Sequence, residues 1–349
     1  MKIITCASFY GSGSSAISDL VGEYDTVRDL SEYEFRIPHD IDGISDLEFH
    51  LCECHNRHNS GHALKRFMRL AHYYEGNRFV TRCEPLFHNQ FGKLTDEYVR
   101  ALTDFQYRGG WFYDFFDYGI RHYYFMQAIN KVLGKLTRHR KNLFQRETTY
   151  CSHPTAETFL TATRAYLAAL MRAANPEGLP YLQIDQIVPS QNIGRILRYF
   201  SDPVDVFLVD RDPRDIYTLE KLYWRERVVP DSPELFSRWY RYTRQSGTEP
   251  VDGLENVHRL HFEDLIFDYD RQVARIEEAT GLSSADHTQR FVKFNPKRSV
   301  HNTQVWKKHP ELAPDIARIE AMLPEYLYDF SAVDPTAVAG VEPETTGSF

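Results

Sequence analysis

No apolar run in this chain approaches the roughly 20 residues needed to span a bilayer. No excess of positive charge is present either: 41 Lys and Arg face 49 Asp and Glu, a net charge of −8. That balance argues against a general nucleic-acid binder, whose affinity rests on neutralising phosphates. Cysteine is sparse: five residues, an odd number, are spread through 349 positions. Such usage suits reduced thiols in a cytosol rather than a disulfide framework. No secretory leader is read at the start, where a strand pattern begins at Lys2. The expected compartment is therefore the cytoplasm. Internal repeats and low-complexity linkers are also missing before the C-terminus.

What remains is an ordinary globular composition, 42% hydrophobic and 26% charged. The length allows one large core, or a core with an insertion. The most informative stretch is Lys2-Ile3-Ile4-Thr5-Cys6-Ala7, which runs into Tyr10-Gly11-Ser12-Gly13-Ser14-Ser15 and then a helical pattern. A strand, a Gly/Ser turn and a helix N-terminus can form a phosphate cradle from backbone N–H groups and the helix dipole. The plainer alternative is a connector. The Gly-Lys-Ser/Thr ending of a Walker A loop is missing, so Mg-ATP machinery is not expected. A phosphate or phosphosulfate is the expected anion.

Residues 2–8 read as a strand and 14–22 as its helix. Further strands are expected at 181–185, 204–209 and 256–261, with helices at 155–174, near 190–200, over 262–280 and near 310–323. The alternation implies parallel pairing. The expected fold class is α/β, a central mostly parallel sheet flanked by helices, as one domain over 1–330. Residues 45–140 read as an inserted helical, aromatic-rich subdomain or lid, and 331–349 as a disordered tail. The aromatic run Trp111, Phe112, Tyr113, Phe115, Phe116, Tyr118, His122, Tyr123, Tyr124 and Phe125 reads mainly as subdomain core. A few of its rings, with Arg121 and Lys135, offer a wall for a sugar.

Two more stretches carry candidate chemistry. Arg211-Asp212-Pro213-Arg214-Asp215 follows an apolar strand, at the carboxyl end where open α/β sheets bind ligands. Guanidinium forks match phosphate oxygens, although Arg–Asp pairing inside the turn is an equal alternative. Lys297-Arg298-Ser299-Val300-His301-Asn302 with Trp306-Lys307-Lys308 is a basic loop beside an aromatic, fit either to cover a nucleotide or to stand in solvent. A denser cluster, Cys52-Glu53-Cys54-His55 with His58 and His62, lacks the paired-knuckle spacing of a zinc site, and no metal is expected.

Taken in order, these stretches resemble the PAPS-dependent sulfotransferases of bacterial or glycan type. Gly11-Ser12-Gly13-Ser14-Ser15 resembles the family's 5′-phosphosulfate loop, and Arg211-Asp212-Pro213-Arg214-Asp215 its 3′-phosphate motif. His261-Phe262-Glu263-Asp264-Leu265, continued to Gly281-Leu282, is similar to its "(Y/F)EDL … GL" stretch. Phe294-Asn295-Pro296 through Trp306-Lys307 is similar to its late cofactor-covering loop. The likeness covers most of residues 2–310 apart from the central insertion. It implies a P-loop-type fold, 3′-phosphoadenosine 5′-phosphosulfate (PAPS) as sulfuryl donor, 3′,5′-ADP as product and no obligatory metal.

By the same resemblance, Ser12 to Ser15 cradle the phosphosulfate, Arg211 binds the 3′-phosphate, and Lys297, Arg298, Trp306 and Lys307 close over the cofactor. There are two departures. The family usually carries Lys or Arg where this chain has Gly11, and its serine eight residues after the first arginine falls on Leu219, with Thr218 one place off. The implied acceptor is a carbohydrate hydroxyl or amine. The implied base is a Glu on an extended segment, Glu32 or Glu34, which share one face of a strand. His39 stands in reserve, with Asp40 and Asp42. The rival readings are a P-loop nucleotide-dependent kinase and a catalytically lapsed nucleotide- or glycan-binding protein.

Overall fold

The computed structural model describes residues 1–76, 82–110, 117–225, 227–245, 253–333 and 338. The chain forms two compact units, one built from Met1–Arg36 and Asn175–Phe349, the other from Ile37–Ala174. Seven strands occur among the described residues: β1 (Lys2–Ser8), β2 (Val27–Glu34), β3 (Phe105–Gly109), β4 (Glu147–Cys151), β5 (Tyr181–Asp185), β6 (Val204–Asp210) and β7 (Val257–His261).

In the first unit, five strands pair in the order β2-β5-β1-β6-β7, every pair parallel. This is the expected α/β architecture. Helices cover the sheet, so the central strands are continuous apolar runs. Ile3, Ile4, Cys6 and Ala7 of β1 and Val206 to Val209 of β6 are all buried. Ile17, Leu20 and Val21 of the helix Ser15–Val21 share a core with Phe207, Leu260, Leu265 and Ile266. Parallel pairing brings the carboxyl ends of all five strands to one edge. There sit Ser8, Glu34, Asp185, Asp210 and His261.

β2 is an edge strand, and its pairing with β5 is irregular. Leu30 faces Ile184, but the next aligned pair is Glu34 with Asp185. A bulge of this kind re-aims the side chains of an edge.

The second unit is wider than the expected 45–140 insertion. It includes the helix Ala156–Ala174, which sequence reasoning had grouped with the sheet. The reason is packing: Thr95 bonds Tyr166, Tyr98 bonds Thr163, and the Tyr98 and Tyr166 rings stack at 4.5 Å. These contacts join Ala156–Ala174 to the helix Phe91–Ala101. The unit is also not purely helical, since β3 and β4 form an antiparallel ribbon. Its two strands are far apart in sequence and share no hairpin turn, which hid them.

Trp111, Phe112, Tyr113, Phe115 and Phe116 lie outside the described residues. Tyr118, Tyr124 and Phe125 are exposed rather than core. Cys52 contacts Pro154 O, and His55 contacts Ser152 O and stacks on His153. No group of three metal-ligating side chains occurs among the described residues. No described helix is long and apolar enough to cross a membrane. None of the five cysteines is in a disulfide. Most of the 331–349 tail lies outside the described residues; Val338 is buried in the first unit's core.

Candidate functional site

The turn after β1 is tied down by Ser12 N–H donating to Phe9 O at 3.1 Å and Ala16 N–H to Gly13 O at 3.1 Å. Among the described residues, no acceptor meets the N–H groups of Gly13, Ser14 and Ser15. Three donors therefore stand at the entrance of the helix Ser15–Val21, where its dipole favours negative charge. Two glycines make the shape possible. Gly11 has φ +71° and Gly13 φ +84°. A Cβ would lie 2.8 Å from Trp224 Cζ3 at Gly11 and 2.6 Å from Phe262 Cδ2 at Gly13. Ser12 is buried, and its hydroxyl has no partner.

Arg211 begins the turn after β6 and is only 4% exposed. Its guanidinium lies 4.5 Å over the Phe262 ring and donates to Gly11 O at 3.3 Å and to Asn302 O. Protein carbonyls thus take one N–H from each terminal nitrogen. Both terminal nitrogens join the β1 turn to the late loop, and only Nε is left without a partner. Burial lowers the arginine's pKa, opposed by the nearby charges of Asp215, Glu263 and Asp212. Burial pushes Asp215 up to about 7 despite the charge of Arg211, and Glu263 up to about 8 despite the Asp212 N–H it accepts.

The alternative reading of the second arginine is the observed one. Arg214 pairs with Asp212 at 2.6 Å and with Glu320 at 2.8 Å. Thr218, expected to contact cofactor, is fully buried and donates to Arg214 O at 2.8 Å. It sits on the inward face of the helix Pro213–Leu219, so its hydroxyl serves the backbone.

The late loop is held by Asp215, whose two oxygens accept Gln304 N–H at 2.8 Å and Val305 N–H at 2.7 Å. Lys297, Arg298 and Lys307 are exposed on it. Arg298 donates to Val292 O and Lys293 O, and Lys307 to Gln304 Oε1. The Trp306 ring is packed under the Arg214 guanidinium at 4.5 Å, so at least one face expected to meet a base is already covered.

Glu32 and Glu34 are both exposed on β2, and Glu34 pairs with Arg36 at 3.2 Å. His39 belongs to the second unit and is half-buried. Sequence reasoning missed Asp185, at the carboxyl end of β5 opposite Glu34. Its Oδ1 accepts Ser18 Oγ at 2.6 Å and Gln183 Nε2 at 2.7 Å. Burial pushes Asp185 up to about 7; the two hydrogen bonds pull it down, and the charges of Glu34 and Asp29 push it further up. The available signal was an acid closing the apolar run Tyr181-Leu182-Gln183-Ile184 beside β1.

A carboxyl whose pKa is higher folded than unfolded binds more protons in the native state. Its contribution favours the fold below the folded pKa and is lost as pH rises from about 4 through 7. We expect thermal melts to show lower stability at pH 8 than at pH 5. Asp185→Asn keeps the acceptor oxygen and removes the charge, so it should flatten that slope, removing at most about 4 kcal/mol of the total fall. Equal slopes for the two proteins would contradict this assignment.

No family model matches the chain, and no curated protein does. Among solved structures, a similar chain is retinol dehydratase in complex with androsterone and the inactive cofactor PAP. It is 14% identical, the TM-score is 0.33, and the alignment covers 96% of this chain and 83% of that one. A likeness at that level assigns no activity and no residue.

Proposed function

We propose that this chain is a PAPS-dependent sulfotransferase that moves a sulfuryl group to a carbohydrate hydroxyl or amine. The observation that supports it best is the turn after β1. Three unpartnered N–H groups lie at a helix entrance, in a loop whose two glycines leave no room for a side chain. The partnerless Ser12 hydroxyl and Arg211 Nε add donors close by. This donor set fits a phosphosulfate.

In this reading, Gly13 to Ser15 hold the 5′-phosphosulfate, and their N–H groups take up charge on the departing phosphate. Arg211 braces the β1 turn against the late loop, with Nε toward the 3′-phosphate. Lys297, Arg298 and Lys307 supply the cations absent at Gly11. Glu34 takes the acceptor proton. The acceptor class rests on the carboxylate base, and five cysteines outside any disulfide suit the cytoplasm.

Calorimetry with 3′,5′-ADP, 5′-ADP and ATP with magnesium tests the proposal. Contacts to the 3′-phosphate are worth about 1.5–3 kcal/mol, so 3′,5′-ADP should bind roughly ten- to a hundredfold tighter than 5′-ADP. Preference for ATP with magnesium would instead support the kinase reading. Tight 3′,5′-ADP binding without sulfuryl turnover on any acceptor would leave a binding protein.

A further inference from the structure

The longest stretch without an acid in the middle of the chain runs from Tyr118 to Arg146. It holds Arg121, Lys131, Lys135, Arg138, Arg140, Lys141 and Arg146, in a protein whose net charge is −8. The acids that bound it are already paired: Asp117 with Arg69 and His62, Glu147 with Lys65. The first six of these cations are exposed.

Most of this stretch is the helix Ile120–Leu136, in which Gly134 is the one buried residue. Phe125, Ile129, Val132 and Leu136 follow at i, i+4, i+7 and i+11, the spacing of one helix face. They are 63%, 39%, 57% and 78% exposed. Tyr118, Ile120 and Tyr124 are exposed as well. Arg121 and Lys135 lie along one side of the stripe at helical spacing. The turn after the helix folds back on it: Leu143 N–H donates to Asn130 Oδ1 at 2.8 Å, and Lys141 N–H to Thr137 Oγ1 at 3.2 Å. Arg138, Arg140 and Lys141 are thus held near Leu136, at the stripe's end.

We propose that the helix Ile120–Leu136 and its basic turn dock on an anionic lipid surface. An apolar stripe bordered by cations, with aromatic rings on the same helix, is the pattern of a helix lying in the membrane interface. Charge complementarity selects the occupant. A second copy of this chain would bring like charges together. A nucleic acid would leave the apolar stripe in water. Anionic headgroups meet the cations while the stripe enters the acyl boundary. This surface lies in the second unit and is independent of the sulfotransferase proposal.

The test is co-sedimentation of the full chain with phosphatidylcholine vesicles, with and without one-quarter phosphatidylserine. Wild type should pellet with the anionic vesicles, less so as salt is raised. Lys135→Glu/Arg138→Glu and Phe125→Ser/Leu136→Ser should each weaken this at least about tenfold. All four side chains are exposed, so the melting temperature should stay near wild type. Failure of wild type to bind anionic vesicles overturns the proposal. So does equal binding by the variants. Dimerisation that Phe125→Ser/Leu136→Ser abolishes, without vesicle binding, would assign the stripe to a second copy instead.

Discussion

Glu34→Gln is expected to lower kcat for sulfuryl transfer by about 10²–10⁴-fold, the usual cost of removing a general base. Affinity for 3′,5′-ADP should stay near wild type. Glu32→Gln should turn over almost normally. The two glutamates were equivalent in sequence, and the irregular pairing of β2 separates them. Glu34 is the residue aligned with Asp185, at the edge where the strands' carboxyl ends gather. β2 lies two strand positions from β1, about 10 Å at the usual strand spacing. That interval leaves room for a donor and an acceptor between base and cradle. Glu34 is exposed and its pair with Arg36 is a surface one, so the change should cost less than about 1 kcal/mol of stability. The readout is kcat with an acceptor that wild type sulfates, beside calorimetry with 3′,5′-ADP. Wild-type turnover by Glu34→Gln would move the base elsewhere, with Asp185 next.

Gly11→Lys is expected to damage the protein, although it supplies a cation that the proposed function would use there. The backbone at Gly11 has φ +71°, and the first side-chain atom would meet Trp224 Cζ3 at 2.8 Å and Cη2 at 3.2 Å. Trp224 cannot easily retreat. It packs edge-on against Tyr10, whose hydroxyl is held by Glu220 at 3.0 Å. Left-handed backbone and overpacking together cost about 2–4 kcal/mol. Gly11→Ala should cost nearly as much, because the Cβ does the harm. Trp224→Ala in the Gly11→Lys background should return part of the loss. Thermal melts read all three. A Gly11→Lys protein as stable as wild type would mean the turn is not shaped as described.

What could be read in the sequence was local. The β1 turn and the turn after β6 each follow an apolar strand, and glycine or proline marks the change of direction. Their alternation with helices gave the parallel sheet. What could not be read depends on neighbours distant in the chain. The bonds of Arg211 to the carbonyls of Gly11 and Asn302 could not be read, because those acceptors lie 200 and 91 positions away. Thr218 looked available until its helix turned it inward. Asp185 was one acid among 49 until the register set it beside Glu34. The periodicity of Phe125, Ile129, Val132 and Leu136 was present, but a stripe reads as core unless its exposure is known.

In the proposed function, the turn after β1 holds the 5′-phosphate of a 3′-phosphorylated adenine nucleotide. A crystal structure of the protein grown with 3′,5′-ADP tests it most directly. The 5′-phosphate is expected within about 2.7–3.2 Å of the N–H groups of Gly13, Ser14 and Ser15, with the 3′-phosphate on the side of Arg211 and the late loop. A nucleotide bound away from that turn, with those three N–H groups facing only water, would contradict it.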